Sequence, residues 1–144
     1  MEVGVMHMQE VLNATDVRKE FGSFIDTVVR EKPQMVKRNR DYFISFSLQQ
    51  ARLLLKDYHF KAQFTPEKDG SITATLTDFD FVVNAKDSEA ALKALAEELV
   101  EYAKEYYDDF QLYFYSLNRQ SHFPYVMAVL MEEDLNGVIG LIHA

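Results

Sequence analysis

The first third of the chain alternates between strand-like and helix-like hydrophobic spacing. Residues 9 to 13 are typical of a short strand, and a helix is predicted from near Asp16, with Asn13 or Thr15 as its N-cap. Pro33 ends this helix. Helical spacing gives it one apolar face, formed by Val17, Phe21, Phe24, Ile25 and Val28.

Two β-prone stretches follow, residues 35 to 38 and 42 to 47, on either side of Asn39-Arg40-Asp41. We predict a hairpin with Asn39 at its turn, because asparagine tolerates the left-handed backbone that tight hairpin turns require. Ser47 and Gln50 have capping-box spacing, which predicts a second, short helix through Leu55. The first module is therefore predicted as β-α-β-β-α.

The next 50 residues predict three antiparallel strands and a long helix. The strands are residues 58 to 64, 72 to 76 and 79 to 84, with Asp69-Gly70 as a turn. Asp87 or Ser88 caps the helix. Its predicted inward stripe is Leu92, Leu95, Ala96, Leu99, Tyr102, Ala103 and Tyr106.

Helical spacing continues to residue 131, which predicts further helices at the C-terminal end. One is predicted across residues 110 to 117 and another across residues 123 to 131, with a turn at residues 118 to 121. Residues 138 to 142 fit either a strand or a terminal helix. The predicted fold class is α+β, with a β-α-β-β-α module, then a three-stranded antiparallel sheet, a long helix and further C-terminal helices.

Charge divides the chain at the same place as the hydrophobic pattern. Residues 1 to 56 carry nine Lys/Arg and seven Asp/Glu, net +2, whereas residues 57 to 144 carry six and sixteen, net −10. We therefore predict two domains, 1–56 and 57–144, a nucleic-acid-binding head on an acidic body. The chain has no cysteine and no apolar stretch long enough for a membrane span, so we expect a cytoplasmic protein without membrane contact.

Basic side chains gather at two places in the head. Arg18 and Lys19 are predicted in the first turn of the helix, where backbone N–H groups also favour phosphate, and Lys37, Arg38 and Arg40 lie at the hairpin end. Asn13 and Thr15 have side chains able to reach phosphates or base edges. The alternative is that these are ordinary solvated residues of an exposed turn.

The first module resembles the Phd/YefM, or prevent-host-death, family of antitoxins over residues 10–55. The resemblance rests on Asn13-Ala14-Thr15 leading into residues 17 to 21, the apolar run to Val29, Glu31-Lys32-Pro33, the strand ending in Lys37-Arg38, and the strand Phe43 to Ser47. The turn after the basic pair usually holds glycine in that family, and here it holds Asn39. The resemblance implies a homodimer, or a higher oligomer, that binds palindromic operator DNA and represses its own operon.

Residues 58–104 are similar to the body of HicB-type antitoxins, on the strand 58 to 64, Asp69-Gly70, Asp78-Phe79 and the helix opened by Asp87-Ser88. The two resemblances together imply an antitoxin that neutralises a RelE-like or HicA-like toxin by protein–protein contact. The alternative is an orphan transcriptional regulator whose body is a dimer interface or sensor. Carboxylates on the solvent-facing side of the long helix would attract a basic toxin; the alternative is that they only keep this face solvated. They are Glu97, Glu98, Glu101, Glu105, Asp108 and Asp109.

Other clusters favour structure over chemistry. Aromatic residues from 102 to 115 have the spacing of core packing, with a partner groove as the alternative. Asn118, Arg119, His122 and Tyr125 either order a helix turn or form a small pocket. The four histidines lack metal-ligand spacing, and no nucleophile elbow, P-loop or dinucleotide glycine pattern is present. We therefore expect no enzyme activity, metal or cofactor.

Overall fold

The computed structural model describes residues 8–144, and the chain divides into two compact units with their boundary between Leu54 and Leu55. Unit 1 ends at Leu54 and unit 2 comprises Leu55–Ala144. The architecture is mixed α+β, with one small sheet in each unit and several helices. Among the described helices, none is long and apolar enough to cross a membrane.

Within residues 8–54, three strands form a sheet of order β1-β2-β3. Strand β1 runs parallel to β2, and β2 and β3 form an antiparallel hairpin. Three helices accompany them. The elements are β1 (Val11–Asn13), α1 (Ala14–Lys19), α2 (Phe21–Arg30), β2 (Gln34–Arg38), β3 (Asp41–Ser45) and α3 (Leu48–Leu54).

The single helix predicted from near Asp16 is wrong, because the structure has two helices separated at Glu20. The backbone of Glu20 leaves the helical region, with φ −125° and ψ 48°. Gly22, two residues beyond the break, is the one nearby residue that weakens a helix, and a lone glycine does not by itself predict a break. The predicted apolar face also differs in burial within α2, because Val28 is buried while Phe21 and Ile25 are exposed.

Two local predictions for this unit are confirmed. Asn39 has φ 55°, in the left-handed region, at the turn of a hairpin whose last paired residues are Arg38 and Asp41. The capping box is also formed. The backbone N–H of Gln50 donates to Ser47 Oγ over 3.1 Å, and the backbone N–H of Ser47 donates to Gln50 Oε1 over 2.9 Å.

Unit 2 consists of a four-stranded sheet packed against helices. Its strand order is β6-β5-β4-β7; the predicted three antiparallel strands are confirmed, and a fourth, β7, pairs parallel with β4. The elements are β4 (Phe60–Pro66), β5 (Ile72–Leu76), β6 (Phe79–Ala85), α4 (Ser88–Asp108), α5 (Phe110–Phe114), a 3-10 turn (Gln120–His122), α6 (Phe123–Leu130), α7 (Leu135–Gly140) and β7 (Ile142–His143).

Helix α4 supplies the centre of the core. Asp87 is its N-cap, accepting from the Ala90 amide over 2.8 Å. The predicted inward stripe is confirmed: Leu95, Ala96, Leu99, Ala103 and Tyr106 are fully buried, and Leu92 and Tyr102 pack partly buried against them. Strands β4 and β5 face this stripe with Phe60, Ala62, Ala74 and Leu76, and α6 adds Val126 and Val129.

The C-terminal part departs from the prediction in two places. Helix α5 ends at Phe114, so the helix predicted through Leu117 is too long. Residues 138 to 142 contain both predicted alternatives in succession, since α7 ends at Gly140 and β7 begins at Ile142. Asp134 starts α7 by accepting from the Gly137 amide over 2.9 Å.

Candidate nucleic-acid interface and toxin-binding face

One end of the unit 1 sheet collects polar and basic side chains. Asn13 is the register partner of Lys37 on the neighbouring strand; Arg38 ends that strand, and Arg40 lies in the hairpin turn immediately beyond it. Asn13 also caps α1, with Oδ1 accepting from the Thr15 amide over 2.8 Å. The sequence therefore brings Asn13, Thr15, Lys37, Arg38 and Arg40 to the same region through strand pairing and one helix cap.

Two described contacts involve the basic side chains of the hairpin end. Arg38 Nη2 lies 3.8 Å from Asp41 Oδ2, and both side chains are more than 70% exposed, so this pair contributes little. Lys37 Nζ lies 5.4 Å from the centre of the Tyr42 ring, a cation–π arrangement that orients the side chain and keeps its charge. Arg40 lies in the turn itself, so three basic residues gather at this end of the sheet.

Arg18 and Lys19 are placed differently from the prediction. Helix α1 begins at Ala14, two residues earlier than expected, and ends at Lys19, so both cations lie in its last turn and not its first. The first-turn placement is therefore wrong, because the Asn13 cap fixes an earlier start. In the last turn the cations interact favourably with the negative end of the helix dipole. The N-terminal backbone N–H groups of α1 lie at its opposite end, so they do not add to a phosphate site at these cations.

The six predicted toxin-binding carboxylates are all exposed and lie between the middle of α4 and its C-terminal end. Five of them belong to the helix and Asp109 is its C-cap residue. No ion pair engages any of them in the part of the chain that the structure describes. The last turn of α4 contains no basic residue, so Glu105, Asp108 and Asp109 also meet the negative end of the helix dipole.

Aromatic side chains surround His122, which lies in the 3-10 turn between α5 and α6. Tyr102 Oη and His122 Nδ1 are 2.7 Å apart, and the imidazole stacks on Phe79 with ring centres 4.3 Å apart. Tyr106 Oη donates to the Arg119 carbonyl over 2.7 Å, and the Arg119 guanidinium lies 4.8 Å from the Tyr113 ring centre. Of the residues predicted to order this turn, Arg119, His122 and Tyr125 therefore do so by contacts with α4 or β6.

The protonation states of this cluster follow from its burial. Burial lowers the pKa of His122 below its usual value and outweighs the opposing hydrogen bond to the Asp78 backbone. Burial raises the pKa of Tyr102 to about 12. We assign the imidazole proton to the nitrogen facing Asp78, which leaves Nδ1 to accept from the Tyr102 hydroxyl. Among residues 8–144, no group of three His, Asp or Glu side chains is arranged to hold a metal ion.

Exposed apolar side chains are the feature that periodicity did not predict. In unit 1, Phe21, Ile25 and Val29 form an exposed stripe at spacing i, i+4, i+8 on α2. Phe43 and Ile44 are exposed on β3. The hydrophobic pattern gives the apolar face of α2 but cannot divide that face between the part buried in the chain and the part left exposed.

Together, the two-unit α+β architecture, the basic hairpin end and the unneutralised acidic helix are the features of a regulatory binding protein. Residues 8–144 match the PHD-like family, described as "Antitoxin of toxin-antitoxin, RelE / RelB, TA system", and the chain belongs to this family. It is therefore an antitoxin of a toxin–antitoxin system, and a toxin is its partner. The narrower assignment to Phd/YefM stays a prediction.

A solved structure from Syntrophomonas wolfei subsp. wolfei is similar over nearly the whole chain. It is described as the antitoxin part of a candidate toxin/antitoxin system, with 41% sequence identity and a TM-score of 0.90. The similarity covers 94% of this chain and 98% of that one. A search of the curated proteins found no match.

Proposed function

We propose that this antitoxin binds operator DNA as a homodimer through a Phd/YefM-like unit 1, represses its operon, and neutralises a RelE-like or HicA-like toxin through the acidic unit 2. The observation that carries the proposal is the separation of charge between two compact units within an antitoxin family. Binding alone accounts for both roles, so catalysis and cofactors are not needed. We expect the protein in the cytoplasm, where operator DNA is found.

Exposed apolar surface in unit 1 supports the homodimer. This unit is small, and its buried side chains among the described residues are Val28, Gln34 and Val36. Units of this size are marginal alone and often gain their core by oligomerisation. The α2 stripe of Phe21, Ile25 and Val29 is suitable for self-association, because burying it against a second copy removes apolar area from water.

Geometry and charge at the hairpin end support DNA binding. Arg38 and Arg40 are exposed at the hairpin end, where a duplex can approach, and Lys37 lies beside Asn13 at the end of two paired strands. Dimerisation would double these contacts and match the two-fold symmetry of a palindromic operator. Arg18 and Lys19 remain candidates as phosphate-contacting side chains without help from helix N–H groups.

Fluorescence anisotropy on the DNA upstream of the gene, across a salt series, tests this proposal. Lys37→Ala/Arg38→Ala removes up to four phosphate contacts per dimer, which lowers the slope of log K against log salt by about 3.6. The control, Lys68→Ala/Lys93→Ala, makes the same charge change in unit 2 and leaves the slope unchanged. Equal slopes for wild type and the hairpin variant, or no specific binding at low salt, would exclude this interface.

The toxin role rests on the acidic face of α4. Carboxylates without ion pairs within the described chain are available to a basic partner, and complementary charge speeds association and selects the partner. The family is described as the antitoxin of a toxin–antitoxin system, which implies a toxin partner, so we do not propose the orphan regulator. Exchanging Glu101 and Glu105 for lysine should weaken binding of the toxin from the same locus, measured by calorimetry; unchanged affinity would contradict the assignment.

A further inference from the structure

Four large apolar side chains are exposed within one short stretch of unit 2. Tyr107 is 63% exposed, Leu112 65%, Tyr115 74% and Leu117 97%. We propose that Tyr107, Leu112, Tyr115 and Leu117, called here the 107–117 surface, are the apolar anchors on which the toxin docks, beside the acidic end of α4. This inference rests on the proposed toxin role of unit 2 and assigns it a specific contact.

Packing within the chain does not explain these four residues. The same stretch supplies the core with other aromatic residues, since Tyr106 is fully buried and Phe110, Tyr113 and Phe114 pack partly buried around it. The exposed members alternate with those inward-facing residues and could be polar without cost to the core. Large apolar side chains exposed within one short stretch indicate an interaction site, and tyrosine is favoured as an interface anchor.

The surface is held in place before any partner arrives. Tyr115 is the C-cap residue of α5, and its ring lies 5.1 Å from Phe114 in an edge-on contact. The chain just beyond is fixed where the Tyr106 hydroxyl donates to the Arg119 carbonyl. Anchors on such a supported segment lose little conformational entropy on binding, which favours affinity.

The negative charge around the 107–117 surface favours a basic toxin over a second copy of this chain as its partner. Glu105, Asp108 and Asp109 lie in the last turn of α4 and at its end, directly before and within the exposed stretch, and no ion pair neutralises them among the described residues. A second copy would bring the same carboxylates against these, and like charges across an interface are costly. A toxin with basic residues around an apolar depression is complementary in both respects.

The test measures calorimetric affinity between the full-length chain and the purified toxin of the same locus. Leu112→Ser and Tyr115→Ala are exposed changes that should leave the circular dichroism spectrum intact. We expect each to weaken the Kd roughly 30-fold, as loss of an interface hot spot does. Val82→Thr is the matched control, because Val82 is 72% exposed in the same unit but lies on the β6 strand, and it should leave the Kd unchanged.

The outcomes separate this inference from the proposed function. Full toxin affinity in both 107–117 variants overturns the docking surface and leaves the toxin role of unit 2 standing. No toxin binding by the wild-type chain overturns both. If sedimentation shows that wild type forms an assembly above a dimer and that Leu112→Ser abolishes it, the occupant is a second copy and the toxin assignment is wrong. An equal loss of affinity in Val82→Thr also contradicts the proposed location.

Discussion

Replacing Glu105 with glutamine should stabilise the free antitoxin. Glu105 lies in the last turn of α4, with Glu101 four residues before it and Asp109 four residues after it. Each like-charge pair at this spacing costs about 0.2–0.5 kcal/mol, and an anion in the last helical turn costs about 0.3–1 kcal/mol. The sum lies between about 0.7 and 2 kcal/mol, and full exposure favours the lower half of that range, about 1 kcal/mol.

Thermal unfolding followed by circular dichroism measures this gain. For a cooperative unit of 60–100 residues, about 1 kcal/mol raises Tm by roughly 4–8 °C. The gain should shrink in about 1 M NaCl, where the Debye length falls to about 3 Å. Glutamine and glutamate have similar helix propensities, so the change isolates charge.

The control is the same substitution at the other end of the same helix. Glu89 lies in the first turn of α4, where a negative charge is favourable, so Glu89→Gln should lower the free energy of unfolding by about 0.3–1 kcal/mol. A Tm that falls in Glu105→Gln, or that moves in the same direction in both variants, would refute the electrostatic reasoning. Weaker toxin binding in the stabilised variant would show that these charges serve the partner.

Four further outcomes follow from the structure. Asp87→Ala removes the α4 cap and should cost about 1 kcal/mol in urea unfolding, whereas full stability would show that the cap contributes nothing. Leu99→Ala empties a fully buried site and should cost about 2–5 kcal/mol in the same assay, with a smaller loss meaning that the core repacks. His122 is neutral when folded because its pKa is lowered, so stability should fall as pH drops below about 6.5, and His122→Gln should flatten that dependence in pH-dependent melting. Tyr102 keeps its proton to about 12 when folded, so stability should also fall between pH 10 and about 12, and a Tyr102→Phe chain with an unchanged alkaline profile would contradict this.

Local chemistry made part of the fold predictable from sequence. The Asn39 turn, the Ser47–Gln50 capping box and the Asp87 cap each need only a few neighbouring residues, and each is formed as predicted. The inward stripe of α4 was predictable because a long amphipathic helix repeats its signal many times. Elements with strong local signals are therefore the ones that sequence specifies directly.

Features that depend on distant contacts were not predictable. The break at Glu20 is accompanied only by Gly22, and a lone glycine does not predict a helix break. Strand β7 has two residues, too few for a recognisable alternation, and it is defined by its pairing with β4. Hydrophobic spacing extended α5 to Leu117, because spacing cannot distinguish an apolar residue that packs from one that is exposed. The basic end of unit 1 was recognisable as a cluster, but the placement of Arg18 and Lys19 needed the observed start of α1.

The residues assigned to the toxin share one physical property: they contribute little to the stability of the isolated chain. Leu117 leaves 97% of its surface in water, and the carboxylates at the end of α4 oppose both each other and the helix dipole. Residues such as Leu99 and Tyr106 instead have their contacts satisfied within the fold. A binding role accordingly predicts a specific signature, in which substitution leaves stability equal or higher while affinity falls. A structural role predicts that both fall together, so measuring stability and affinity on each variant distinguishes the two.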